Sequence, residues 1–185
     1  MSSTLAKAEA LAESERVVST LVCGAFIHSS SFDELEFIPD GVMGLSSTGE
    51  ILFVSTSPLS SLPPALSSAY DVSSAAVVSV EEVTGDPAGF VVPGYVDTHL
   101  HAPQYAFAGQ GMDLPLLQWL ATYTYPMESR FGNQDFVDEV YDALLARLAR
   151  VGTTSSAVFG SLHAPASVSL AQKGMCVFVM MCDVM

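Results

Sequence analysis

The order of apolar and polar positions divides the chain into two styles. From Val17 the sequence runs in short β-type stretches, Val17–Ile27, Gly41–Leu45, Ile51–Ser55 and Val77–Val83, each rich in Val, Ile, Leu or Phe. Pro39-Asp40-Gly41 and Ser47-Thr48-Gly49-Glu50 separate them as turn signals. The Ser/Pro-rich stretch from Ser57 to Ser74 reads as a loop with a weak helix around Leu62–Ala69. This pattern predicts part of a small β-domain over residues 17–89. An Ala/Glu/Ser-rich extension over residues 1–16, a frayed helix or a flexible tail, precedes it.

At Gly89 the style changes. Phe90–Val96 is almost continuously apolar, broken by Pro93-Gly94, and a short amphipathic stretch follows at Leu114–Tyr123. The clearest helix is Gln134–Val151. Asn133 stands as its N-cap, and Asp135, Asp138 and Glu139 face the positive end of its dipole. Phe136, Val140, Leu144, Leu148 and Val151 recur every three or four residues, and Arg147 and Arg150 close the last turn before Gly152. Thr153–Phe159 is β-prone, Pro165–Lys173 forms a short helix, and Met175–Met185 is apolar on both faces. A strand apolar on both faces suits a parallel sheet covered by helices. The alternation over residues 90–185 therefore predicts an α/β fold of about three βα units.

Composition narrows the partners. The chain has 185 residues, half of them apolar and 14 % charged, with a formal charge of −14. Twelve acidic and two basic residues precede Phe90, and eight and four follow. With no basic stripe to offset it, such a surface repels phosphate backbones and anionic membranes, which argues against nucleic-acid and membrane partners. Cys23, Cys176 and Cys182 form neither a disulfide framework nor a CxxC pair, so they read as free thiols in a reducing compartment. The first sixteen residues lack the apolar core of a secretory signal. The longest apolar run, Met175 to Cys182, is far short of the ~20 residues of a spanning helix. Cytoplasmic residence is the expectation.

The chemistry concentrates at His99-Leu100-His101. On a strand, residues i and i+2 project from one face, so both imidazoles can reach one point; on a helix they diverge by about 200°. Neutral imidazole is a borderline ligand suited to Zn2+ or Fe2+, and two at a strand's C-terminal end suit a barrel-mouth site. An HxH pair alone is equally the mark of two ordinary strand-end histidines. Asp97 shares the strand face of His99, where it can orient an imidazole or cap the strand end. His163 follows the Thr153–Phe159 strand, with a pocket-rim or structural role favoured over metal binding, and His28 falls in the β-rich half as a structural residue.

The surrounding string is longer than the pair. Pro93-Gly94-Tyr95-Val96-Asp97-Thr98-His99-Leu100-His101 resembles the strand-one signature of the amidohydrolase superfamily. Ala102-Pro103-Gln104-Tyr105-Ala106-Phe107-Ala108-Gly109, Asp113-Leu114-Pro115-Leu116-Leu117-Gln118-Trp119-Leu120, Tyr123-Thr124-Tyr125-Pro126, Arg130-Phe131 and Gly152-Thr153-Thr154 resemble its guanine deaminase branch. So does Gly24-Ala25-Phe26-Ile27-His28-Ser29 upstream.

The resemblance implies a (β/α)8 TIM barrel flanked by a small β-sandwich, with one Zn2+ at the barrel mouth. It implies hydrolysis of guanine to xanthine and ammonia in a homodimer. By the same resemblance His99 and His101 are metal ligands, Gln104 contacts the purine and Trp119 lines the pocket. A loop role for Gln104 and a packing role for Trp119 are the alternatives. None of the residues present matches the family's acid/base glutamate, its later histidines or its strand-eight aspartate, so no catalytic residue is assigned.

Ninety-six residues run from Phe90 to the end, whereas a complete barrel takes ~250. The expectation is therefore an N-terminal fragment, inactive and poorly stable alone. The competing readings are another amidohydrolase, such as a chlorohydrolase or a different nucleobase deaminase, and a non-catalytic truncated product. Gln104 and the Leu114–Trp119 stretch favour guanine.

Overall fold

The computed structural model describes residues 11, 13–173 and 176–180. They fall into two units, Met1–Pro93 and Gly94–Met185. Among the described residues no helix is long and apolar enough to cross a membrane.

In the first unit a single-turn 3-10 helix, Glu13–Arg16, leads to β1 (Thr20–Ser31), β2 (Glu34–Leu45), β3 (Ile51–Ser55), helix α1 (Pro64–Ala69), β4 (Ala76–Ser79), helix α2 (Val80–Thr84) and β5 (Phe90–Val91). They form one mixed sheet in the order β3-β2-β1-β4, with β5 also pairing β1. β1 is antiparallel to β2 and parallel to β4 and β5. The core on this sheet holds Val18, Leu21, Val42, Leu52, Phe53, Leu66 and Tyr70. The Tyr70 hydroxyl donates to the Leu52 carbonyl at 3.1 Å, so the ring is buried without stranding its polar end. Burial, and then the charge of Asp40, push the Cys23 thiol up, which keeps it protonated.

Two expectations change here. Pro39-Asp40 is no turn: β2 runs through it. Gly24 faces Gly41 and Phe26 faces Ile38, so Pro39 and Asp40 together oppose Ala25 alone. The extra residue makes a bulge, where a proline without an N–H costs no ladder bond. The Val77–Val83 strand stops at Ser79 and becomes a helical turn. Glu81 and Glu82 lie in the first turn of α2, where the dipole favours them.

The second unit begins with β6 (Tyr95–His101) and a 3-10 segment, Ala102–Phe107. Helices α3 (Leu116–Trp119) and α4 (Tyr125–Ser129) follow, joined by a π-turn over Leu120–Thr124. The predicted amphipathic stretch thus continues to Ser129. The π-turn sits where Pro126 has no N–H to return to Thr122. Then come α5 (Gln134–Arg150), β7 (Thr153–Phe159), α6 (Ala164–Gln172) and β8 (Cys176–Met180). The three strands form a parallel sheet, β6-β7-β8. The expected strand over Met175–Met185 is described only across Cys176–Met180, and residues 181–185, with Cys182 and Asp183, lie outside the described residues.

Helix α5 is capped as expected: Asn133 Oδ1 accepts from the Phe136 N–H at 3.2 Å. Its buried stripe is Val137, Val140, Tyr141, Leu144 and Leu148. Val151 is 47 % exposed beyond the helix end, and Phe136 is instead covered by the Arg130 guanidinium, 3.9 Å from its ring centroid. The core joins that stripe to Ala102, Phe131, Val158, Ala166 and Leu170. Lys173 at the end of α6 pairs with Asp142 and Asp138 of α5 at 2.7 and 3.1 Å.

One close approach ties the strand signature to the later Gly-Thr-Thr. A Cβ on Gly94 would lie 2.1 Å from the Thr154 side chain and 2.6 Å from the Thr154 Cβ itself, so rotating the threonine leaves the clash in place. Gly94→Ala is predicted to destabilise the protein by about 1–3 kcal/mol through overpacking. In a Thr154→Gly background most of that cost should disappear. Urea unfolding of the two single variants and the double variant measures the coupling.

Candidate metal centre

β6 does not run evenly against β7. Asp97 is level with Ser156 and Leu100 with Val158, so Thr98 and His99 together face only Ala157. This bulge takes the His99 N–H out of the regular ladder, and the Asp97 carboxylate accepts it at 3.0 Å. Of the two roles open to Asp97, the structure shows the backbone one. Beyond the bulge Leu100 packs against the helix-side core, while His99 and His101 point the other way.

Their Nε2 atoms are 3.1 Å apart. Two nitrogens about 2.05 Å from one tetrahedral zinc stand about 3.3 Å apart, so the pair fits a shared metal with a small movement. His99 is exposed and His101 half-buried. Phe159, at the end of β7, stacks on His101 with centroids 4.5 Å apart and planes 9° apart, and leans on His99 at 4.9 Å. Burial, and then the neighbouring His99, lower the His101 pKa, which keeps it neutral with a lone pair free to bind. Among the described residues no third His, Cys, Asp or Glu joins the pair. A catalytic zinc usually takes three protein ligands and a water, so the pair offers donors for two of those positions and no more.

The 3-10 segment after β6 buries Ala102, Pro103 and Phe107, and the half-buried Gln104 between them faces the opening. A cavity of about 410 Å³ lies there, bordered by His99, His101, Gln104, Tyr105, Met112 and Trp119. All four predicted site residues therefore meet in one hollow of ligand size. Trp119 borders it with its ring, 5.4 Å from Phe107, and sends its Nε1–H to the Gln110 carbonyl at 2.8 Å. His163 is absent from the lining: it stands at the N-cap position of α6, where its backbone carbonyl accepts from the Ala166 N–H, and its ring lies by Gly132. His28 Nε2 lies 3.3 Å from Glu36 across β1 and β2.

Sequence reasoning missed Phe159 and Met112. Phe159 reaches the histidines only because the ladder puts it level with His101. A methionine in a glycine-rich loop carries no pattern of its own.

Among its described residues the second unit buries one carboxyl, Glu128. Glu128 Oε2 accepts from Ser161 Oγ at 3.2 Å in the turn after β7, and the Leu162 N–H also donates to it. Burial outweighs those bonds and the nearby His163, so the carboxyl sits above the usual carboxylate range. The same burial, with Glu128 beside it, holds the Tyr141 hydroxyl protonated. Because the folded chain binds the Glu128 proton more tightly than the unfolded chain, this group's contribution is fullest below the ordinary carboxyl range and declines as pH rises through the folded value. Glu128→Gln, which keeps one acceptor oxygen, should flatten the fall in Tm as pH rises above the ordinary carboxyl range. Calorimetry across that rise on both proteins is the check, and parallel curves would contradict the assignment.

The Amidohydrolase family model matches residues 90–179. Guanine deaminase of Mus musculus is 39 % identical over 149 residues, which cover 80 % of this chain and 31 % of the mouse protein. Among solved structures, guanine deaminase from C. acetobutylicum with bound guanine in the active site superposes with a TM-score of 0.61 at 27 % identity, covering 86 % of this chain and 35 % of that one. An adenosine deaminase from Xanthomonas campestris with bound zinc superposes with a TM-score of 0.62 at 21 % identity, covering 88 % and 33 %, a likeness of fold alone. The chain spans about a third of the length of the curated relatives it matches.

Proposed function

We propose that this chain, whose residues 90–179 match the amidohydrolase family model, forms the first part of a guanine deaminase site. The reaction is guanine plus water to xanthine plus ammonia: water adds at C2, and the bond to the exocyclic nitrogen breaks. On this reading β6, β7 and β8 are the opening strands of a (β/α)8 barrel, and the sheet of the first unit is the start of the flanking β-sandwich. His99 and His101 hold two positions of a Zn2+ ion. When bound, the metal supplies Lewis-acid activation of water.

The rest of the work falls to the chain's own groups. The Asp97 carboxylate holds the bulge that aims His99, and Phe159 stacks on the His101 ring and fixes its plane. Gln104, whose amide both donates and accepts, reads the purine edge. Trp119 supplies part of the apolar wall. The observation that carries the proposal is the convergence of the two Nε2 atoms, 3.1 Å apart, at a cavity that also contains Gln104.

Two experiments test it. Metal-free protein titrated with Co2+ should develop visible absorption that is lost in His99→Ala and in His101→Ala, while His163→Ala retains it. Protein expressed from its whole reading frame and loaded with Zn2+ should release ammonia from guanine and none from adenine or cytosine. Gln104→Ala should raise the KM for guanine about tenfold or more, as expected when a buried polar edge loses its partner. An unchanged KM would remove Gln104 from the site.

A further inference from the structure

The segment after Phe107 is built with more constraint than a connecting loop needs. Gly109 and Gly111 both have positive φ, +80° and +63°, the left-handed region that other residues rarely enter. Gly111 is required a second time by space: a Cβ there would lie 2.3 Å from the Tyr123 ring and 3.1 Å from Trp119. Phe107 is 1 % exposed, and both Trp119 and Tyr123 pack on it. Backbone bonds close the turns, Gln110 N–H to the Phe107 carbonyl and Leu114 N–H to the Gly111 carbonyl, each at 3.0 Å. The Trp119 indole N–H then fastens the Gln110 carbonyl from outside.

All this rigidity presents one large side chain. Met112 is 76 % exposed, although its backbone neighbours are pinned on both sides. It borders the cavity of His99, His101 and Gln104, and also an adjoining apolar hollow of about 310 Å³ that shares Trp119. A flexible, polarizable thioether held at the mouth of a cavity is suited to the face of a flat heteroaromatic ring.

We infer that Met112 is a specificity-determining contact for the planar ring of the substrate, and that Trp119 is a positioning residue that acts on Met112 through the Gln110 carbonyl. This rests on the deaminase reading above and adds two roles to it. Gln104 reads the polar edge of the ring, and Met112 covers its face. The indole ring packs the wall while its N–H sets where the methionine stands.

Trp119 is the only tryptophan in the chain, so it reports on this wall without labelling. In the Zn2+-loaded protein, guanine should shift the Trp119 emission, and Met112→Ala should weaken guanine binding about tenfold, the scale of lost contacts in an apolar pocket. Met112→Leu should restore binding to within about threefold, and kcat should change less than KM in both. Trp119→Phe keeps an aromatic ring but has no N–H. It should speed hydrogen exchange at Gln110 and Leu114, whose N–H groups close the two turns around Met112, and weaken guanine binding about as much as Met112→Ala.

If Met112→Ala binds guanine normally while Gln104→Ala does not, the inference is overturned and the deaminase reading stands. If neither variant changes binding, or the loaded protein binds no guanine, both fall. Unchanged exchange in Trp119→Phe would overturn the positioning role whatever the binding result.

Discussion

Parallel pairing of β6 with β7 is the contact on which the site depends. It is uneven in two places, and both irregularities are used. Near the start of the pair Thr154 occupies the space that a side chain on Gly94 would need. Further along, the bulge at Thr98 and His99 takes one N–H out of the ladder for Asp97 to hold. The ladder then resumes with His101 level with Phe159, which puts an aromatic wall against both imidazoles. A regular ladder would aim His99 differently and leave Asp97 without this partner.

Around that pair the second unit separates its faces by chemistry. Leu100 and Val158 turn towards helix α5 and join its apolar stripe, whose burial is what holds the helix on the sheet. The histidines and Phe159 turn the other way, towards the cavity. Glu128 lies on the helical side, where its hydrogen bonds to Ser161 and Leu162 fasten the turn after β7. Mouth loops are thus held from behind by buried polar bonds and from the front by aromatic packing around Phe107.

Much of this was readable in the residues, for definite reasons. Asn133 and the three- and four-residue spacing after it mark α5, because capping and amphipathicity are local properties. The strand Thr153–Phe159 agrees residue for residue with its β-prone run. Pro39-Asp40 misled because a proline that breaks a flat strand is tolerated at a bulge, and bulges depend on the partner strand. Val80–Thr84 misled because a β-branched run gave way to favourable charges at a helix start. The Met112 loop has no periodicity from which to read it; its glycines show their purpose only against the Tyr123 and Trp119 rings.

The sequence by itself determined the kind of chemistry available: two imidazoles one residue apart on a strand, an amide three residues on, and a family signature around them. Those are matters of residue type and spacing, which the chain carries whatever its fold. The tertiary structure decided which groups meet. It brought Phe159 to His101 across a ladder of 58 positions' separation, turned Asp97 to a backbone N–H and placed Met112 on the cavity that Gln104 also lines. Such pairings depend on register and on the space left by neighbours, and one residue of slip in β7 would undo them.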